Sequence, residues 1–289
     1  MKLDGKHVVI TGATAGIGKA SAIALAKAGA RITIVARNQL KIENTLAELK
    51  VVSSRDDHRY ALADFGSLAS VRSAAEKILS WGDTIDVLQN NAGIASSVHR
   101  ETEDGYEELF AVNHLAGFLL TGMLMPLLLN KGTRIVNVSA MIYASVQGMN
   151  FDDLPTTKSF DPLKGYAYSK LANILFTKEL SERLKPHGVT CNVLHPGAVR
   201  TMLGSEDKGW VLTIASFLIK YFPFMFKTAE QGAATSNYLS ASDEVRDVTG
   251  KYFVDCKEVP LKPVGLDMDA AKRLWKISEE MTDFTYPIL

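Results

Sequence analysis

Three glycines stand between a β-branched run and an Ala-rich stretch, in Gly12-Ala-Thr14-Ala15-Gly16-Ile17-Gly18, and their placement restricts the fold of the 289-residue chain more than any other feature. Lys6 to Thr11 reads as a buried strand, and Lys19 to Ala28, closed by Gly29, as a helix. Glycines in a strand-to-helix turn let the backbone approach a pyrophosphate, whose charge the helix N-terminus stabilises. The spacing is G-x-x-x-G-x-G rather than the commoner G-x-G-x-x-G, and a turn that binds nothing is the alternative reading. Strand and helix patterns then alternate to about residue 255, as an α/β, Rossmann-type doubly wound parallel sheet flanked by helices requires. Strands are expected near residues 6–11, 31–35, 57–62, 86–90, 133–138, 189–194 and 251–254. Helices are expected near 17–28, 39–50, 67–80, 104–129, 166–185, 229–240 and 268–281.

The end of the second strand bears on the choice of nucleotide. Many NAD sites hold the ribose 2′-hydroxyl with an acidic residue about 20 positions past the glycines. That place reads Ala36-Arg37-Asn38 here. The Arg37 guanidinium suits a 2′-phosphate, and Lys41, one helical turn on, adds charge. An exposed surface arginine is the plainer reading; the balance favours NADP(H) over NAD(H).

Tyr166 and Lys170 lie four apart in Gly165-Tyr-Ala-Tyr-Ser-Lys170, so on a helix they share one face. A phenol near its usual pKa of about 10 is a poor acid–base catalyst at neutral pH, and a nearby ammonium is expected to lower it. An ordinary surface Tyr and Lys on an amphipathic helix would give the same letters. Tyr168, two residues from the lysine, faces elsewhere.

Composition excludes some functions. Hydrophobic residues make up 47% of the chain, enough for a sizeable core, and no Pro/Gly/Ser linker or charge block divides it, so one domain over 1–289 is expected. Formal net charge is +0, with no basic stripe for nucleic acid. Cys191 and Cys256 lie in apolar runs without metal-ligand spacing and are expected as buried free thiols. Strand one begins almost at the first residue, leaving no room for a signal peptide or anchor, and the chain is expected in the cytoplasm, free or peripheral on a membrane.

The motifs taken together resemble the short-chain dehydrogenase/reductase family, and within it the retinol-dehydrogenase-like branch, from about Gly5 to about Phe284. They are Thr11-Gly-x-x-x-Gly-x-Gly18, Ala63-Asp64, Asn90-Asn-Ala-Gly93, Val112-Asn113-His-Leu, Ile135-Val-Asn-Val-Ser139, Tyr166-x-x-x-Lys170 and His195-Pro-Gly197. The resemblance implies an oxidoreductase in which Tyr166 is the acid/base and Lys170 bonds the nicotinamide ribose. It implies that Asp64 bonds the adenine amino group beside Phe65, and that Asn91, Ala92 and Gly93 pass under the adenine ribose. By the same resemblance Asn113 holds a water linking Lys170 to solvent. Pro196, Gly197 and Val199 border the nicotinamide, and Thr201 bonds its carboxamide. The glycine turn and the Arg37-Asn38 corner complete the implied nucleotide site.

Two departures affect substrate and rate. Relatives usually end the fifth strand with a Ser-Ser pair whose second member orients the substrate; here the pair is Ser139-Ala140, leaving Ser139 as the candidate. The family's substrate loop corresponds to about 201–227. Its core from Trp210 to Phe226 is apolar with a single Lys, and it reads as a lid over an apolar pocket, as a membrane patch, or as core or homodimer surface. The expected substrate is a small apolar carbonyl or alcohol, such as a retinoid, steroid or lipid aldehyde. A catalytically weak NADP(H)-binding redox sensor or assembly partner is the competing class.

Overall fold

Val- and Ile-rich runs bury both faces of their strands, as parallel strands covered by helices on each side must. The computed structural model describes residues 3–154, 161–199 and 226–287. Its eight strands are β1 (His7–Thr11), β2 (Arg31–Ala36), β3 (Arg59–Leu62), β4 (Val87–Asn90), β5 (Arg134–Val138), β6 (Thr190–His195), β7 (Tyr252–Val254) and β8 (Lys257–Glu258). They form one sheet in the order β3-β2-β1-β4-β5-β6-β7-β8, parallel except for β7–β8. The order reverses between β1 and β4, which pair directly from Val8–Val87 to Ile10–Gln89. A doubly wound sheet opens a crevice at such a point, outside the carboxyl ends of the strands.

On one face lie α1 (Gly16–Lys27), α2 (Gln39–Ser53) and α8 (Ala229–Ala241). The other carries α3 (Leu68–Leu79), α5 (Ala116–Met123), α7 (Pro162–Leu184) and α9 (Met268–Thr282), with Phe118, Phe176, Trp275 and Tyr286 packed together. Asn137 is buried in β5, where its amide donates to Thr177 Oγ1 at 2.8 Å.

Four expectations need correction. The helix expected over 104–129 is broken: α4 (Glu108–Phe110) starts where the buried Glu107 carboxyl accepts from Leu109 N and Phe110 N, a π turn spans Ala111–Leu115, and α6 (Met125–Leu128) follows α5. α7 starts four residues early because Asp161 caps it and Pro162 suits its first turn. β8 was not expected. Cys191 is buried, but Cys256 is half-buried in the β7–β8 turn rather than in a strand. Thr201 and residues 210–225 of the apolar segment lie outside the described residues.

Candidate active site

A cleft of about 1050 Å³ lies over the carboxyl ends of the central strands. Gly12, Thr14, Ala15, Gly16, Ile17 and Gly18 form its floor. Ala15 offers α1 no side-chain cap and no acidic residue occupies the first turn, so the positive end of the helix is left for an anion. Gly18 is required by close approach: a Cβ there would lie 2.4 Å from the Gly12 carbonyl oxygen and 2.5 Å from Asn91 Nδ2. Asn91 in turn holds the turn shut, donating through Nδ2 to the Thr11 carbonyl at 2.9 Å. Thr11 Oγ1 accepts from Asn91 N and Ala92 N at 2.9 and 2.8 Å, tying β1 to the end of β4. These features fit a dinucleotide pyrophosphate.

Arg37, Asn38, Lys41, Asp64 and Phe65 line one end of the cleft, where β2 and β3 finish. Asn38 has a local duty the sequence reading missed: its Oδ1 accepts from Lys41 N at 2.9 Å and caps α2. Asp64 Oδ1 accepts from Gly66 N, which shapes the turn and keeps the carboxylate exposed. Arg100, Glu101, Thr102, Glu103 and Glu108 also line the cleft. Nothing in their spacing marked them, because charged residues before a helix ordinarily read as a solvated loop.

At the other end stand Tyr166 and Lys170, with Asn91, Ala92 and Gly93 between the two halves. Lys170 Nζ lies 5.5 Å from the Tyr166 ring centroid, over its face. The expected lowering of the phenol does not occur in this cleft. The Tyr166 ring is half-buried by surface area, yet protein crowds the phenol enough for desolvation to push it up to about 12. Burial pushes Lys170 down to about 8. The ammonium lies over the ring, and burial decides both directions.

Asn113 sits in the π turn and its side chain is taken up by protein: Oδ1 accepts from Ile94 N at 2.7 Å, and Nδ2 donates to the Ile94 carbonyl and to Ser169 Oγ, each at 3.0 Å. It pins the β4 loop to α7, and Ser169 relays the hold to the Tyr166 carbonyl at 2.8 Å. A Cβ on Gly93 would lie 3.0 Å from Asn113 Oδ1 and 3.2 Å from Lys170 Nζ, so the three residues converge. Ser139 and Ala140 both line the cleft. The Ser139 hydroxyl donates to the Lys170 carbonyl at 2.7 Å and is buried against α7. Ala140, next on the same wall, brings only a methyl. His195, Pro196, Gly197 and Val199 close this end.

Lys170 provides a pH test. A lysine that loses its proton near pH 8 holds the ammonium below that pH and loses it above, so kcat/KM for carbonyl reduction should fall as pH rises through about 8. Tyr166, at about 12, stays protonated throughout and adds no second break. In Lys170→Arg the activity should be lower but the break near pH 8 absent, because a guanidinium does not titrate there. A break that persists in the arginine variant assigns it to another group.

The family model described as short chain dehydrogenase matches residues 6–211. The chain is 42% identical to retinol dehydrogenase 14 of Homo sapiens over 293 residues, covering 96% of this chain and 87% of that one. It is 38% identical to retinol dehydrogenase 13 of Homo sapiens, covering 99% and 87%. Among solved structures, an uncharacterized protein of Mycobacterium paratuberculosis matches with a TM-score of 0.79 at 29% identity, covering 99% of this chain and 96% of that one. A short chain dehydrogenase of Burkholderia cenocepacia, solved in complex with NADP, matches at 0.69 and 26%, covering 88% and 97%.

Proposed function

The chain belongs to the short-chain dehydrogenase family and is thereby an oxidoreductase acting on a CH–OH or carbonyl group, and from that premise we propose that it interconverts an apolar carbonyl compound and its alcohol with NADP(H). The observation that carries the proposal is the pairing, in one cleft, of a glycine cradle with Tyr166 and Lys170 on one face of α7. When bound, the nicotinamide supplies the hydride for reduction or accepts it in oxidation. Tyr166 gives the proton at its phenol oxygen to the substrate oxygen as negative charge develops there, the direction its raised pKa favours, whereas oxidation of the alcohol requires its phenolate. Lys170 supplies positive charge beside the phenol and bonds the nicotinamide ribose. Gly12 to Gly18 receive the pyrophosphate, and Arg37 with Lys41 the 2′-phosphate.

The substrate class rests on the apolar composition of the 210–226 segment and on the likeness to retinol dehydrogenases. The names of the relatives make retinal the first compound to test, followed by steroids and lipid aldehydes. No helix of the described residues is long and apolar enough to cross a membrane. A second reading, a slow enzyme serving as an NADP(H)-binding sensor, is favoured by one observation: Ala140 brings only a methyl to the cleft wall, and the Ser139 hydroxyl beside it donates to the Lys170 carbonyl.

An NADPH-consumption screen across apolar aldehydes, ketones and quinones separates the two. Turnover of any class supports the enzyme, and tight NADPH binding without turnover supports the sensor. Arg37→Asp should weaken NADPH binding by about tenfold or more, through a lost charge-assisted bond and new repulsion, while NADH changes little. A wild-type preference for NADH in measured dissociation constants would overturn the Arg37 assignment.

A further inference from the structure

Gly197 is fixed by two constraints. Its φ is +90°, and a Cβ there would lie 2.8 Å from Lys227 Nζ and 2.9 Å from Lys227 Cδ and Cε. The lysine stem therefore lies flat on the backbone of the loop that borders the catalytic end of the cleft. The contact continues along the chain. Lys227 N donates to the Ala198 carbonyl at 2.7 Å, Val199 and Lys227 form a parallel bridge, and Lys227 Nζ donates to the Pro196 carbonyl at 3.3 Å. The ammonium also pairs with the Asp255 carboxylate.

Asp255 stands in an unusual turn. It and Cys256 join β7 to β8 with φ of 51° and 61°, a two-residue hairpin in which both positions are left-handed and neither is glycine. Such turns ordinarily take Asn-Gly or Asp-Gly. Asp tolerates the conformation, whereas Cys256 has no such excuse, and it is held by its N–H donating to Thr235 Oγ1 at 3.1 Å. The Lys227–Asp255 pair is too exposed, at 30% and 63% of the side chains, to add much global stability.

We infer that Lys227 is a positioning residue that braces the Pro196–Val199 loop against the β7–β8 turn and so sets the wall against which the nicotinamide end of the cofactor lies. The inference rests on the cofactor reading above for its consequence, but the brace itself is independent of it. Lys227→Met keeps the apolar stem on Gly197 and removes the ammonium, Lys227→Arg keeps a charge, and Asp255→Asn removes the turn's half of the ion pair.

Two readouts test it. Hydrogen exchange on the protein without nucleotide should be about tenfold faster at residues 195–199 in Lys227→Met, unchanged elsewhere in the sheet, and slower again in Lys227→Arg. NADPH should bind about tenfold more weakly to Lys227→Met, while 2′,5′-ADP, which lacks the nicotinamide, should bind within about twofold of wild type, with Asp255→Asn showing a smaller version of the same split. Unchanged exchange at 195–199 in Lys227→Met overturns the inference. Equal weakening of NADPH and 2′,5′-ADP with a lowered Tm also overturns it, since that is the signature of a merely structural residue. A wild-type protein that binds neither nucleotide would instead sink the cofactor reading, and the exchange experiment would still decide whether Lys227 braces the loop.

Discussion

Tyr166→Phe should leave folding and NADPH binding intact while turnover falls by about two to four orders of magnitude. The substitution removes a single oxygen, and the ring keeps its half-buried place on the cleft wall with Lys170 over its face. What is lost is the proton for an oxygen that gains charge as hydride arrives at the adjacent carbon. Tyr168→Phe is the control. Two residues along a helix is about 200° of rotation, and Tyr168 is not among the residues that line the cleft. Steady-state kcat for one apolar aldehyde, with NADPH dissociation constants for all three proteins, checks the expectation. Activity within tenfold of wild type in Tyr166→Phe, or greater sensitivity at Tyr168, would show that another group delivers the proton.

The reason Tyr166 could be found in the sequence is that its argument needs only helix register, which α7 keeps. The sheet was legible for a similar reason, since strands buried on both faces read as short continuous runs between turn residues. What was not legible depended on competition between neighbours. Gly105 and Pro126 mark two of the breaks in 104–129, but between Glu107 and Leu115 there is no Gly or Pro, so nothing in the letters announced that Glu107 would cap Leu109 and Phe110 or that Ala111–Leu115 would widen into a π turn. β8 is two charged residues long, Lys257 and Glu258, and lacks any strand signal. Ser139 and Ala140 both line the cleft, and the sequence did not say that the Ser139 hydroxyl would be taken up by the Lys170 carbonyl. The direction of the Tyr166 shift was misjudged because proximity of Lys170 was weighed without the burial that outweighs it. Asp161-Pro162, by contrast, is a helix-start signal that was readable and was overlooked.

Gly18→Ala should abolish useful binding of NADPH and NADH alike, weakening both on the order of a hundredfold. By local propensity the change ought to help, because Gly18 lies inside α1 and alanine is the better helix former. Space decides otherwise. The new methyl would sit 2.4 Å from the Gly12 carbonyl oxygen, which is backbone and cannot swing aside, and 2.5 Å from the Asn91 amide that clamps the Thr11 carbonyl. Relief requires α1 to move away from the turn, which opens the cradle and withdraws the helix N-terminus from the pyrophosphate. Because the pyrophosphate is common to both nucleotides, the loss should not discriminate between them, in contrast to the NADPH-selective effect of Arg37→Asp. Titration of each nucleotide, with circular dichroism to show that the sheet is retained, distinguishes a spoiled cradle from an unfolded protein. A Gly18→Ala variant that binds NADPH as tightly as wild type would place the pyrophosphate away from this turn, and the cofactor orientation built on it would have to be abandoned.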